Sequence, residues 1–87
     1  IGEMFDGIVS GVTNFGVFVE LENTIEGLVH VENMRDDYYN FDEYTVSLIG
    51  ERSRKVYKMG DKVKIRVIAT DRVLKRIDFE FVQDTEL

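Results

Sequence analysis

Residues 14–21 read Asn14-Phe15-Gly16-Val17-Phe18-Val19-Glu20-Leu21, a turn-forming segment followed by a strictly alternating one. Side chains of successive strand residues point to opposite faces of a sheet. Val17, Val19 and Leu21 therefore share one face, which can be buried, while Phe18 and Glu20 share the other. The segment predicts a half-buried strand with an aromatic side chain on its exposed face.

The same alternation recurs along the chain. The apolar segments are short, rich in Val, Ile, Phe and Tyr, and bounded by Gly, Asn and Asp, and the 87 residues contain no proline. We expect five strands, at residues 4–12, 17–21, 27–31, 61–70 and 75–82. Five short strands without a clear helical period indicate one all-β domain, a small closed antiparallel barrel.

Residues 32–60 interrupt this rhythm with a connection longer than most in compact domains. We therefore expect the segment to carry structure of its own. Weak alternation predicts an extra hairpin within residues 44–59 that turns at 51–54, and a short helical turn is expected near 32–34. This insertion would lie between the third and fourth barrel strands.

Charge is unevenly distributed in a chain whose net charge is -6 at pH 7. Residues 1–51 hold one basic and eleven acidic residues, whereas residues 52–76 hold ten basic and two acidic ones. A basic stretch on an otherwise acidic domain provides the local field that a nucleic-acid backbone requires. The alternative is that these lysines and arginines only solvate the strands.

Several function classes lack support in the sequence. There is no cysteine, which excludes disulfides, thiolate catalysis and Cys-ligated metals, and we expect a cytoplasmic protein. No apolar run approaches the roughly 18 residues needed to cross a bilayer, so no membrane partner is expected. The chain starts without Met and is interpreted as a segment of a longer protein. The acidic residues at 36–43 lack the spacing of a calcium loop, which indicates a solvated loop.

Three side chains are candidates for an exposed stacking surface. Phe15 lies in the turn, Phe18 follows on the exposed face, and His30 points away from its neighbours Val29 and Val31. Exposed aromatic rings can stack nucleobases. The alternative is that Phe15 and Phe18 pack beneath residues 32–60. His30 has no second His, Cys or nucleophile nearby in sequence, so neither catalysis nor metal binding is expected of it.

The fourth predicted strand repeats the alternation with charged residues. Its inward residues would be Val63, Ile65, Val67 and Ala69, and its outward residues would be Lys62, Lys64, Arg66, Ile68 and Thr70. Lys64 and Arg66 would then stand roughly 7 Å apart on one outer face, a spacing suited to successive phosphates. The turn that follows adds Asp71 and Arg76.

Taken together, these segments resemble the S1 RNA-binding domain, a five-stranded OB-fold. The resemblance rests on Gly7-Ile8-Val9, residues 14–21, Glu26-Gly27-Leu28-Val29-His30-Val31, residues 60–67 and residues 71–77. It covers essentially the whole chain, with the domain expected at residues 1–84 and terminal residues at 85–87. It implies an RNA-facing patch at Phe15, Phe18, His30, Asp71 and Arg76. One departure is Glu32, where many members of the family have Ser.

The middle and final segments narrow the resemblance. Asp36-Asp37-Tyr38-Tyr39, Gly50-Glu51-Arg52 and Ile77-Asp78-Phe79-Glu80 are similar to the C-terminal S1 domain of ribonuclease R-type enzymes in the bacterial RNase II/RNB family of 3′-to-5′ exoribonucleases. The resemblance implies a non-catalytic domain that guides single-stranded RNA. It also implies that magnesium-dependent chemistry belongs to a separate catalytic domain and that this domain holds no cofactor.

The resemblance also implies roles for individual residues. Phe15, Phe18 and His30 would stack bases, and Asp71 would accept a hydrogen bond from a base, a ribose 2′-OH or Arg76. Phosphates would be neutralised by Lys64, Arg66 and Arg76. The expected partners are single-stranded RNA and other domains of the parent enzyme, with the domain itself monomeric. Two alternatives stay open: a protein-interaction barrel that docks on a ribosome or helicase through residues 35–44, and an S1 domain of another RNA-binding protein.

Overall fold

Five strands close into a barrel, and a three-stranded sheet is inserted between its third and fourth strands. The computed structural model describes residues 2–82. The strands are β1 (Met4–Val12), β2 (Gly16–Leu21), β3 (Glu26–His30), β4 (Tyr39–Asp42), β5 (Ser47–Gly50), β6 (Val56–Lys58), β7 (Lys62–Asp71) and β8 (Arg76–Phe81). The barrel order is β1-β2-β3-β8-β7, with β7 returning to β1.

This architecture confirms the predicted all-β OB-fold barrel. Neighbouring barrel strands are antiparallel except at the closure, where β3 and β8 run parallel with Leu28 opposite Asp78. The first predicted strand has the predicted bounds, the second differs by one residue at its start, and the other three differ by one residue at each end. Residues 83–87, which include the predicted domain end at 84, lie outside the described residues. Within residues 2–82, no helix has the length and hydropathy needed to span a bilayer.

The barrel core is built from the inward side chains that alternation predicts. Val17, Val19 and Phe79 have no solvent exposure, and neither does Ile65 on β7. Gly27 makes room for Phe79, because a Cβ at this position would lie 2.5 Å from the Phe79 ring. Burial of this apolar surface is the main favourable contribution to folding.

The insertion forms a sheet in the order β4-β5-β6, preceded by a 3-10 turn at Val31–Asn33. The predicted hairpin corresponds to β5 and β6, but β4 was not predicted because its acidic and aromatic residues show no clear alternation. The sheet packs on the end of the barrel through Tyr57, whose ring stacks on Phe81 at 4.4 Å between centroids and contacts Tyr39 at 5.6 Å. The phenol pKa of Tyr57 is raised by burial.

The acidic residues at the start of the insertion are used structurally. The Asp37 carboxylate accepts hydrogen bonds from the backbone N–H groups of Ser53 at 2.7 Å, Arg52 at 3.0 Å and Tyr38 at 2.8 Å. These bonds, with that from Ser53 the strongest, lower the pKa of Asp37 to about 2. Asp36 accepts from the Tyr39 hydroxyl and from Lys55. The loop predicted to be only solvated therefore holds the β5–β6 turn in place.

A bulge in β7 overturns part of the predicted alternation. Pairing with β8 shifts between Val67 and Ala69, so that Ala69 lies opposite Asp78 and Asp71 opposite Arg76. The prediction that Ala69 points inward was wrong, because the extra residue reverses the two faces beyond it. Asp71 consequently shares the outer face with Arg76 and Asp78.

Candidate functional site

Phe15 and Phe18 form an aromatic pair on the outside of the barrel. Their rings meet edge to face, with centroids 6.2 Å apart and planes at 88°. Phe15 keeps 49% of its surface exposed, and Phe18 is half-buried. With about half of its surface exposed, Phe15 does not pack beneath residues 32–60, so the alternative in which both rings lie there does not apply. One free aromatic face braced by a second ring is suited to stacking a planar ligand.

The turn that carries Phe15 is fixed by hydrogen bonds at both ends. The Thr13 hydroxyl oxygen accepts from the backbone N–H groups of Phe15 and Gly16, each at 3.2 Å. The Phe15 carbonyl accepts from the N–H of Val31 at 2.8 Å. The aromatic ring is therefore presented on a defined backbone and needs little ordering when it binds a ligand.

His30 lies beside this pair, opposite Gly16 in the β2–β3 register. Its Nε2 is 3.2 Å from Oδ1 of Asp78 on β8, and both side chains are partly exposed. The contact orients the imidazole at the point where β3 meets β8. Sequence reasoning missed Asp78 as a site residue, although its position between inward-facing Ile77 and Phe79 marks it as an outward side chain.

Asp71 is the last residue of β7 and lies opposite Arg76, the first residue of β8, and both are exposed. Oδ1 of Asp71 accepts from the N–H groups of Val73 and Leu74, each at 3.0 Å, which shapes the turn. Among the described residues no ion pair joins Asp71 to Arg76. The guanidinium of Arg76 is thus available to an anionic ligand on the face that also carries Asp78.

Arg66 and Lys64 stand on the outer face of β7 as predicted, but their environments differ. Nη1 of Arg66 donates to Oε2 of Glu80 on β8 at 2.9 Å, so its charge is largely balanced. Lys64 is exposed, lies opposite Asp6 of β1, and takes part in no ion pair among residues 2–82. Two side-chain contacts, His30–Asp78 and Arg66–Glu80, therefore lie between the aromatic pair and Lys64 along β3, β8 and β7.

No metal site accompanies these residues. Across the part of the chain that the structure describes, no group of three or more His, Asp or Glu side chains is placed to hold a metal ion. Asp36 and Asp37 of the insertion are engaged in the hydrogen bonds described above. The surface offers stacking, hydrogen bonding and positive charge, which are the means by which proteins bind nucleic acids.

Comparison with known protein families shows which family this chain belongs to. A model described as the S1 RNA binding domain matches residues 1–81. The chain belongs to this family. Membership confirms the family predicted from the sequence, and it agrees with a closed five-stranded barrel that carries aromatic residues on its outer surface.

The S1 domain is similar to parts of much longer bacterial proteins. It is 50% identical over 82 residues to ribonuclease R 1 of Lactococcus lactis, covering 94% of this chain and 10% of that protein. It is 48% identical to ribonuclease R of Ureaplasma parvum, covering 94% of this chain and 11% of that protein. The chain thus spans about a tenth of the length of these relatives.

A solved structure shows the same fold in such a protein. Mycoplasma genitalium RNase R, in complex with ribose methylated single-stranded RNA, matches with a TM-score of 0.88 and 31% identity. The match covers 94% of this chain and 13% of that one. The similarity predicted from the middle and final segments is therefore confirmed.

Proposed function

We propose that this S1 domain binds single-stranded RNA by stacking nucleobases on Phe15 and Phe18. The observation that carries the proposal is the exposed Phe15 ring, 49% accessible, held against the edge of Phe18 on a hydrogen-bonded turn. An alanine substitution at such a stacking residue typically costs about 1–3 kcal/mol per base. The structure of RNase R from M. genitalium with single-stranded RNA supports the choice of ligand.

The polar neighbours extend this surface across the β3–β8 junction. His30 offers an imidazole next to the aromatic pair, and its contact with Asp78 orients the ring. Arg76 supplies a positive charge for a phosphate, while Asp71 keeps one carboxylate oxygen for the turn. In this proposal Asp71 uses its other oxygen to accept from a base or a ribose 2′-OH, the group that distinguishes RNA from DNA.

Lys64 and Arg66 are proposed as additional phosphate contacts. Because Glu80 pairs with Arg66, we expect this arginine to contribute less than Lys64. A net charge of -6 opposes binding of a polyanion at long range. The isolated domain should therefore bind weakly, and useful affinity should come from linkage to further RNA-binding domains.

We further propose that the domain guides RNA within a longer 3′-to-5′ exoribonuclease of the ribonuclease R type. The support is the similarity to proteins of that name, of which this chain matches about a tenth. In this proposal the phosphodiester chemistry and its magnesium belong to a different domain, and the S1 domain acts as a monomeric binding module in the cytoplasm. Its neighbours in the parent chain would be its protein partners.

A protein-docking role for residues 35–44 is the second candidate. Tyr38 is 75% exposed and Tyr44 is 98% exposed, on a segment rich in acidic residues. Large exposed aromatic side chains are enriched at protein interfaces. A partner with a basic protein surface, such as a protein of the ribosome or a helicase, would fit this composition.

One experiment separates the two candidates. A labelled single-stranded RNA is titrated into the wild-type chain and into the Phe15→Ala and Tyr44→Ala variants at low salt. We expect Phe15→Ala to weaken binding roughly 5-fold to 150-fold, which corresponds to about 1–3 kcal/mol, and Tyr44→Ala to leave it unchanged. Unchanged RNA binding by Phe15→Ala would contradict the stacking proposal and leave protein docking through residues 35–44 as the candidate function.

A further inference from the structure

A small groove lies between β6 of the insertion and the start of β7, apart from the aromatic pair. Its volume is about 220 Å³. The groove is lined by Lys55, Tyr57, Lys62, Val63, Lys64, Phe81 and Val82. Three of these seven residues are lysines and none is acidic, in a chain that is acidic as a whole. Such a concentration of positive charge around one depression favours an anionic ligand.

The lysines differ in how far their charge is already balanced. Lys55 contacts Asp36 at 3.3 Å. Lys62 and Lys64 are exposed, and no ion pair among the described residues includes either of them. Asp61, the acidic residue next to Lys62 in sequence, contacts Lys58 at 3.1 Å. Lys62 and Lys64 therefore keep their charge for a ligand, and on their other side they border a second depression that Asp6, Glu20 and Glu22 also line.

The remaining wall of the groove is rigid and apolar. Tyr57 and Phe81 stack with centroids 4.4 Å apart and planes within 8° of parallel. Tyr57 also contacts Tyr39, so it is held from both sides. The N–H of Val82 donates to the carbonyl of Lys64 at 2.9 Å, so the backbones of these two lining residues are hydrogen-bonded to each other. An apolar wall beside cationic side chains suits a chain of alternating sugars and phosphates, because the ribose can contact the rings while the phosphates meet the lysines.

We propose that this groove binds the phosphodiester backbone of single-stranded RNA through Lys62 and Lys64, as a contact separate from the stacking surface. Lys64 on β7 is two strand spacings from His30 on β3, roughly 10 Å across the sheet. One strand can span that distance, since an OB-fold engages about 4–16 nucleotides. The inference rests on the proposed RNA binding, but the groove recognises phosphates and does not require bases to stack.

The test compares two ligands that differ only in their bases. A uridine decamer and a decamer of abasic sugar phosphates are titrated separately into the isotopically labelled chain, and backbone amide shifts are followed residue by residue. We expect the uridine decamer to shift amides both at Phe15 and Phe18 and at Val63, Lys64 and Val82. The abasic decamer should shift only the groove amides. Inorganic phosphate at the same phosphate concentration should shift neither set, because it lacks the linked phosphates that two lysines can bind together.

Charge-matched variants give the second readout. Each phosphate contact contributes about 0.7 to the slope of log K against log salt. Lys62→Gln combined with Lys64→Gln removes two such contacts and should therefore reduce the slope for the abasic decamer by about 1.4. The control combines Arg35→Gln with Arg52→Gln, two exposed arginines outside the groove, and should leave this slope unchanged. Circular dichroism on both double variants verifies that the fold is retained.

The outcomes distinguish this inference from the function proposed above. Shifts at Phe15 and Phe18 without shifts in the groove would overturn the groove inference and leave the stacking proposal standing. With the uridine decamer, groove shifts without shifts at Phe15 and Phe18 would overturn the stacking proposal and leave the groove inference standing. Equal salt slopes for the two double variants, or groove shifts by inorganic phosphate that match those of the abasic decamer, would also overturn the assignment to an RNA backbone.

Discussion

Gly16 connects the stability of the barrel to the geometry of the stacking surface. It is the first residue of β2, follows Phe15 directly, and pairs with His30 across the β2–β3 register. A Cβ at this position would lie 2.4 Å from the carbonyl oxygen of Val29, 3.0 Å from Cδ1 of Leu28 and 3.2 Å from Cα of His30. Two of these three atoms belong to the backbone, which cannot rotate away as a side chain can.

The magnitude of a Gly16→Ala substitution follows from this geometry. A carbon atom normally approaches a carbonyl oxygen to no less than about 3.3 Å, so β2 and β3 must separate by roughly 1 Å. Forcing an extra methyl group into a packed site costs about 1–3 kcal/mol. We expect the upper half of that range, because the displacement also lengthens the 2.8 Å hydrogen bond from Val31 to Phe15. RNA binding should weaken as well, since Phe15 and His30 move apart.

The assay is urea unfolding followed by RNA titration of the folded protein. With a slope near 1 kcal/mol per M for a domain of this size, the urea midpoint should fall by about 2–3 M. Gly11→Ala is the matched control: it lies in the adjacent strand, and its Cβ would meet Phe18 at an ordinary 3.6 Å. We expect the control to be neutral or slightly more stable. Wild-type stability for Gly16→Ala, or an equal loss for both variants, would refute the reasoning.

Three further predictions concern other parts of the molecule. Val46 adopts a φ of 50°, a left-handed conformation that costs a β-branched residue about 1–2 kcal/mol. Because Asn tolerates this conformation better, Val46→Asn should raise the free energy of unfolding, measured by chemical denaturation, by about 1 kcal/mol. The folded-state pKa of Asp37, about 2, is below its ordinary value of 3.8, so its stabilising contribution is present above pH 3.8 and is lost as the pH falls through 2. Thermal melting between pH 5 and pH 2 should therefore show a steeper loss for the wild type than for Asp37→Asn, and parallel curves would contradict this. Phe79→Ala removes a fully buried ring and should cost about 3–5 kcal/mol, measured by the same urea assay, whereas a loss below about 1 kcal/mol would show that Phe79 is not central to the core.

The alternation of residues 14–21 was sufficient to predict which side of β2 is buried. Val17 and Val19 have no exposure, and Phe18 lies on the outer face as expected. The prediction succeeded because the period of two is a property of each strand by itself. The same reasoning identified the strands of the barrel to within one residue at each end, since Gly, Asn and Asp mark the turns.

Pairing between strands determines the facing of residues after the bulge and the existence of β4, which side-chain alternation did not predict. The bulge after Val67 turns Ala69 outward and places Asp71 on the face of Asp78, and it is defined by the register with β8. Residues 39–42 form a strand only because β5 supplies its partner. Such features depend on which backbone groups meet, and no local pattern in the sequence records them.

The sequence by itself determined an all-β barrel of the S1 type, the buried face of β2 and an aromatic pair at Phe15 and Phe18 whose exposure it left open. Only the tertiary structure decided the electrostatic partners of that surface. The parallel closure of β3 against β8 brings Asp78 to His30, and the β7–β8 register gives Glu80 to Arg66, leaving Lys64 without an ion pair among the described residues. The physical reason is range: side-chain alternation is set by neighbouring residues, whereas the charge that a ligand meets depends on strands that are distant in sequence and adjacent in space.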